Sequence, residues 1–591
     1  MNTRLRFPAL CTAIGLLAAL STSNAMGDEI QPYFLMDREP GDVLEPEPSR
    51  LHPKLLGMWK QALAHSESEM KRQAAEAILR AHQLGHQEMQ TAIPDLTRVL
   101  TADKVHPAAR HAAAHALIGL DSRDSASQLF DVSQTQGQDL RQLIEPVLAR
   151  WGFEAIRPVW RQRIASVQTP RRDLRLAIDG VQQQRDAAVL SSLLDLAMTA
   201  ERPIDLRLAA ARAAGQIAEQ KLEPQAQELL GRGAKSTTDR LCAAALISRH
   251  RSEPAITLLQ KLGTDPEPAV AGAALRSLFA ADPDLVLPLL QATLANADSN
   301  IRRVGIQTGV ARPTPERIQM LAPLLNDPHP ELRGMIRDDF ATLSKDAAFD
   351  ATIRQSAIAV LAGNDWRGQE QAALLLGALD EETVAPRLLE LLAAERPEVT
   401  VAAAWSLKTM EIPATAQPVL EFAQRRTSST VPVTAASDHQ VAHLFELLGR
   451  LKFSEAIPVM SIYIPKTDKF GIHSRSAAIW GLGLIHEGQT NEPLAKQLID
   501  RVLDTMSIPP EDFHVRRASV LSLGRLRAKN QLPVLKQLIG DQVDRDLMEL
   551  TMRWSVLQIS GEVLPIGPPV VADQTGWFLE PLPPPRPVPG S

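Results

Sequence analysis

The chain has 591 residues, more than one hydrophobic core usually serves, so it is built either of several domains or of a repeat array. Hydrophobic residues make up 45% and aromatic residues only 4%, which suits closely packed Ala/Leu helices and argues against a β fold rich in Tyr, Phe and Trp strands. A formal net charge of -6 excludes a global nucleic-acid footprint.

Residues 1–25 have the pattern of a secretory signal. Arg4 and Arg6 give a positive start, Ala9 to Leu20 an apolar run, and Ser23-Asn24-Ala25 a small-residue cleavage site. The apolar run is shorter than the roughly twenty residues a spanning helix needs, and no second such run follows, so no transmembrane segment is expected after cleavage. Removing these residues takes away two Arg and no acid, which moves the net charge from -6 to about -8 and makes a nucleic-acid partner less suitable still. Cys11 leaves with the signal and Cys242 stands alone in an Ala-rich helix, so no disulfide framework is present. Export to a periplasmic or extracellular location is the expectation. Residues 26–50 are acidic and proline-punctuated and read as an extended arm; Tyr33, Phe34, Leu35 and Met36 are expected to staple it onto the first repeat.

From residue 51 to 562 one phrase recurs. It is clearest where DPEPAVAGAALRSLFAADPDLVLPLLQATLANADSNIRRVGIQTGV is followed by LAPLLNDPHPELRGMIRDDFATLS, between Asp265 and Ser344. Each copy holds a first helix opened by a proline ahead of paired leucines, a turn carrying Asp, and a second, Ala-rich helix opened by a basic residue. The prolines are Pro94, Pro158, Pro254, Pro288, Pro323, Pro386, Pro418, Pro458 and Pro533. Basic marks fall at Arg72, Arg110, Arg141, Arg175, Arg207, Arg240, Arg302, Arg333, Arg475 and Arg516, with Ala271 and Thr400 in the slot less typically. The acids are placed to cap free amides at helix starts, and the small residues after each mark let neighbouring helices approach closely. The unit around Trp366 shows neither Asp-turn nor Arg. In these residues the chain resembles the HEAT-repeat family, including the short PBS-lyase-type HEAT repeats. The resemblance implies an all-α, right-handed α-solenoid of about 14–15 stacked two-helix repeats whose second helices line a concave binding face. It implies no reaction.

Three features go beyond packing. The longer turns Thr427 to Asp438, Pro465 to His473 and Met506 to Phe513 all interrupt their units between the two helices, so they should project side by side from one edge; Lys466, Lys469, Phe470 and His473 are its candidate partner-binding residues. A basic-aromatic strip, Arg157, Trp160, Arg161, Arg163, Arg171 and Arg172, joins the two residue types enriched at binding hot spots, against the alternative of a buried Trp with paired arginines. Histidines gather early, and His82/His86 and His111/His115 have the i,i+4 spacing of a metal clip, although two ligands alone are not a site.

Enzyme motifs are not found: no G-x-S-x-G, no H-E-x-x-H, no Walker-type loop, no dinucleotide G-x-G-x-x-G and no haem attachment pair. No catalytic or cofactor-binding residue is assigned and no cofactor is expected. Residues 563–591 are proline-rich and cannot continue helix stacking; Trp577 and Phe578 are placed to fold back on the last repeat. The reading is an exported, non-enzymatic scaffold that binds a protein or other extended partner. The alternatives are a lyase-like ligand handler of the PBS-lyase HEAT type and a metal-binding protein using the early histidines.

Overall fold

The computed structural model describes residues 30, 32–40, 51–232, 236–539, 547–564 and 576–580. The expected signal segment 1–25 lies outside them, as do parts of the arm and most of the proline-rich tail. Among the described residues there are thirty α-helices and no strand, and no helix is long and apolar enough to cross a membrane. Two helices to a unit give fifteen units, each numbered here in chain order, from Leu55–Ala64 with Ser68–Gln83 (unit 1) to Leu532–Leu538 with Leu547–Ser560 (unit 15). This is an all-α solenoid of stacked two-helix units.

The first helices start where the sequence sets a proline in the opening turn, as in Ile93–Thr101, Glu253–Leu262 and Ala385–Leu391; there the missing amide is one that the helix leaves unbonded anyway. The second helices stack on one another along the array, and their small residues decide how closely. A Cβ added at Gly449 of helix Ala435–Arg450 would stand 2.6 Å from the Cα of Gly481 in the next second helix, Ile472–Ile485, so only glycine fits between these backbones. Hydroxyls fill the same seam: Ser406 donates to Ala373 O, Ser522 to Ile479 O and Ser555 to Val520 O, each at 2.8 Å across two units. With the second helices closer than the first, the array bends toward the second-helix row, which becomes the inner face.

The basic marks do more than open their helices. Five of the ten reach forward to an acid at the start of the following unit's second helix: Arg141 to Asp173 at 2.6 Å, Arg207 to Asp239, Arg240 to Asp265 at 2.7 Å, Arg302 to Asp327 at 2.6 and 2.8 Å, and Arg475 to Glu511 at 2.9 and 2.8 Å, whereas Arg72 and Arg175 pair within their own helices. The same arginines also tie down carbonyls at the end of their own first helix, as Arg207 does with Ala197 O and Arg302 with Asn296 O and Ala297 O. A planar guanidinium can satisfy both partners at once, which a lysine cannot. Unit 10 departs from the sequence reading: Asp365 caps helix Trp366–Ala378 by accepting from the Arg367 amide, so the unit has its acid one residue before the tryptophan.

The core falls into two clusters that meet in unit 8. Leu55 to Val304 build the first, and Leu290 to Ile559 the second. The chain ends cross between them. Ile30 and Met36 of the arm belong to the second cluster, whereas Trp577 belongs to the first. The arm therefore lies on the late units, not on the first repeat where the sequence places it. Trp577, buried to 6% exposure, sits 5.5 Å from the Trp59 ring of unit 1 with the Arg80 guanidinium 4.8 Å from its own ring, and Phe578 O accepts from Trp59 Nε1 at 2.6 Å. From Glu39 on the late units to Leu51 beside unit 1 the chain has twelve residue steps, which reach at most about 43 Å. Fifteen units set about 10 Å apart in a straight line would span well over 100 Å, so the array is curved enough to bring its ends within reach of both straps.

Trp577→Ala should therefore loosen unit 1, not unit 15. The expected loss is about 3 kcal/mol of local stability, read as faster amide exchange in Leu55–Ala64 and Ser68–Gln83 with Leu547–Ser560 unchanged. Faster exchange confined to unit 15 would show the tail packing on the last repeat instead.

Candidate functional site: the inner groove of units 11 to 14 and its outer edge

The arm from Tyr33 to Glu39 lies across four second helices: Pro397–Met410, Ala435–Arg450, Ile472–Ile485 and Phe513–Arg525, of units 11 to 14. These helices read its main chain. Lys408 donates to Tyr33 O at 2.5 Å, Glu446 accepts from the Met36 amide at 3.0 Å, and Arg517 donates to Met36 O at 3.3 Å, to Asp37 O at 3.4 Å and to Glu39 O. Further back, the Ile30 amide approaches Asp338 Oδ1 at 3.5 Å.

The side chains are read as well. The Phe34 ring stacks on His443 at 4.6 Å and on His473 at 5.0 Å, and meets His439 edge-on at 5.3 Å. Glu39 accepts from Trp480 Nε1 at 3.0 Å and from Arg525, while Asp37 stands 3.5 Å from His514 and 3.9 Å from Arg517. Met36 drops into the core.

The electrostatics follow from burial. Glu446 is fully buried and its carboxyl is pushed up to about 7; Lys408, 3.4 Å away and almost as buried, has its ammonium pushed down for the same reason. Burial also lowers His443, well below the usual imidazole range, and His439, so both offer neutral faces to Phe34 near pH 7. His473 moves the other way because its ring bonds to Asp438 at 3.1 Å. Asp438 also accepts from the His473 and Ser474 amides; a Cβ at Gly471 would fall 2.0 Å from its carboxylate carbon, so glycine is what admits this cap.

At the outer margin of the same units the three longer turns do stand together. Lys466 crosses from the 462–471 turn to the 504–512 turn, donating to Asp504 at 3.1 Å, Ser507 at 2.7 Å and Pro509 O. Phe470 stacks on Tyr463 with ring centres 3.9 Å apart, and the Tyr463 hydroxyl is 3.0 Å from Thr427 of unit 12. Lys469 and Phe470 then help line a cavity of about 310 Å3 with Val431 and Val433 of the preceding turn. Half of the large apolar side chains exposed among the described residues lie between Val431 and Phe513, with Met506 89% and Ile508 100% exposed, so this edge is an apolar ridge. His473 stands where the ridge meets the groove.

The other sequence candidates are placed differently. Trp160 is fully buried and donates to Glu145 at 2.9 Å; Arg163 pairs with the same carboxylate, Arg161 with Asp186, Arg171 with Asp205, and Arg157 with Gln184. Only Arg172 of that strip is exposed with no partner shown, so most of its chemistry is spent on joining units 3 to 5. His111 and His115 are exposed, His86 is 3.5 Å from Glu88, and His82 is half-buried. Among the described residues no group of three or more His, Cys, Asp or Glu is placed to hold a metal ion.

Of the histidines that do meet, His473 was a candidate from the sequence, whereas His439, His443 and His514 escaped it. The signal was register: His473 and His514 both occupy the second position of successive second helices, and His439 and His443 are an i,i+4 pair on the helix before. Another basic stretch of the inner face, in units 5 to 7, was also missed: Arg212, Arg249, Arg251 and Arg276 line a cavity of about 710 Å3 floored by Ala244, Ala245 and Ser277.

No protein-family model matches the chain, and no curated protein matches it. Solved structures do. The chain is similar to Kap95p from a structure described as showing how Kap95p binding switches the loops of RanGDP, with 12% identity over 86% of this chain and 72% of that one and a TM-score of 0.49. It is likewise similar to yeast importin-β (Kap95p), at 11% identity over the same shares and a TM-score of 0.45. Against the complex of CpcE and CpcF of phycocyanin lyase from Nostoc the identity is 19% over 42% of this chain and 95% of that one, with a TM-score of 0.27. Each likeness is one of fold.

Proposed function

We propose that the chain is an exported, non-enzymatic scaffold that docks a protein partner on the ridge of units 12 to 14. The observation that carries this is the ridge itself. Turns inserted at one position of consecutive units are braced to one another by Lys466 and Tyr463, yet they hold Val431, Val433, Ile462, Met506, Ile508 and Phe513 out in solvent. Bracing fixes the shape, and a pre-shaped apolar edge with a cation at Lys469 is what a protein partner can bury at small entropic cost. Export rests on the pattern of residues 1–25.

The test is affinity capture from the native envelope fraction with the protein starting at Met26, beside a variant carrying Met506→Asp, Ile508→Asp and Val431→Asp. The substituted side chains are exposed, so the fold should persist. A partner retained by the first bait and lost at least tenfold by the second supports the reading; equal recovery by both removes the ridge from it. N-terminal sequencing of the exported product is expected to begin at Met26.

A further inference from the structure

The inner groove of units 11 to 14 has the chemistry of a peptide-recognition site. Side chains that merely pack a strap against a core would meet it through apolar contacts. Here Lys408, Glu446 and Arg517 spend buried hydrogen-bonding groups on the arm's own carbonyls and amide, which any extended segment carries. Sequence is read at four further points: an aromatic ring between the imidazoles of His439, His443 and His473, a buried apolar side chain two residues on, and two acids, one facing His514 and Arg517, the other Trp480 and Arg525.

Arg517 is held differently from the marks that knit the units together. Those bond an acid of the next unit, as Arg302 does with Asp327. Arg517 bonds arm carbonyls and stands near Asp37, with one further buried nitrogen unpartnered, so its guanidinium faces the groove's occupant. An arm removed from the groove would leave Lys408, Glu446 and Arg517 buried or half-buried without these partners, a state whose cost another extended segment would relieve.

We infer that this groove recognises an extended protein segment of the pattern aromatic-x-apolar-acidic-x-acidic, and that the chain's own Phe34–Glu39 is a tethered occupant which such a partner displaces. The tether sets the threshold. Residues 41–50 link the arm to unit 1, and a short tether holds its end at roughly millimolar effective concentration. A free peptide with the arm's sequence therefore competes poorly with the intact chain, whereas it binds openly once the arm is gone. The groove and the ridge adjoin at His473 but bind through otherwise different residues, so this inference stands apart from the ridge reading.

The probe is a fluorescent synthetic peptide of residues 30–40. It is added to the protein starting at Met26 and to a variant in which residues 30–40 are replaced by Gly and Ser. The expected result is binding to the replaced protein at least a hundredfold tighter than to the intact one, weakened at least tenfold by Phe34→Ala in the peptide or by Arg517→Ala in the protein. A replaced protein that keeps its helical circular dichroism and binds no peptide overturns the inference, and so does binding indifferent to both changes. Should the replaced protein fail to fold, a protease site placed within residues 41–50 allows the arm to be cut after folding. Exchange of the cut arm for labelled peptide within hours supports displacement; retention of the cut arm over days shows a permanent structural strand and overturns it. Peptide-dependent dimerisation of the intact chain, seen by light scattering, would mean that arms trade between copies instead of yielding to a partner, and it also overturns the inference.

Discussion

Arg475→Ala is expected to destabilise the array by about 3 kcal/mol, and to do so locally. The guanidinium is 5% exposed, bonds both oxygens of the 2% exposed Glu511, and also reaches Tyr463 O and Ile464 O at 3.3 Å. Its loss leaves a buried carboxylate with only Arg501, at 3.2 Å, and the Asp512 amide, at 3.0 Å, together with two carbonyls short of a donor. Each unit of a solenoid touches chiefly its neighbours, so the damage belongs in units 13 and 14. Faster amide exchange in Ile472–Ile485 and Phe513–Arg525, with units 1 to 8 unchanged, is the expected pattern. A double change to Arg475→Met and Glu511→Leu should recover most of the loss, because it removes the stranded charge together with its partner. Uniform exchange along the whole array would mean that the ladder acts globally.

Lys408→Met is expected to cost about 3–5 kcal/mol at pH 8 by the same logic, and its effect should depend on pH. Glu446 then keeps the burial that pushes its carboxyl up and loses the nearby ammonium that pulls it down. A carboxyl whose folded pKa is raised contributes stability that is fully present below its unfolded value, near 4.5, and is lost as pH rises through the folded value, which is about 7 even with Lys408 in place. The variant's deficit should therefore be smallest at pH 5 and grow through pH 7 to 8. Parallel unfolding curves at these pH values check it; a deficit independent of pH would show that Glu446 does not respond to its neighbour. Since Lys408 also holds Tyr33 O, the arm should exchange faster in this variant than in Arg475→Ala.

How the repeats were legible, and how the site was not, comes down to which residues act locally. The proline of each first helix, the acid of each turn and the arginine of each second helix act within one unit or on the next. Their spacing in sequence is their spacing in space, so the solenoid and its approximate count of units could be read directly. One detail is decided only by the stacking of units: the acid of a turn caps its own helix, as Asp298 does for the Asn300 and Ile301 amides, yet elsewhere in the array it receives the arginine of the unit before, as Asp327 does from Arg302. The aligned late turns were legible for the same local reason, though not the bracing of Lys466 onto Asp504.

The basic-aromatic strip shows the limit of composition. Arg157, Arg161, Arg163 and Arg171 look free in sequence because Gln184, Asp186, Glu145 and Asp205 are helices away along the chain, and only stacking brings those partners within 2.6 to 2.9 Å. Of the early histidine pairs only His111/His115 is exposed, and either pair would need a third ligand from a neighbour; among the described residues no group of three or more such ligands is placed to hold a metal ion.

By itself, then, the sequence determined an all-α array of two-helix units, the small residues that let neighbouring helices approach closely, and the edge from which the late turns project. Tertiary structure alone decided where the two ends of the chain go. A small bend at each seam is invisible in one unit, yet over fifteen units it brings unit 1 within a short strap of the late units. Phe34 thereby meets His443, more than four hundred positions along the chain, and Trp577 meets Trp59. Contacts at that separation depend on the accumulated curvature of the whole array, which no local pattern of residues encodes.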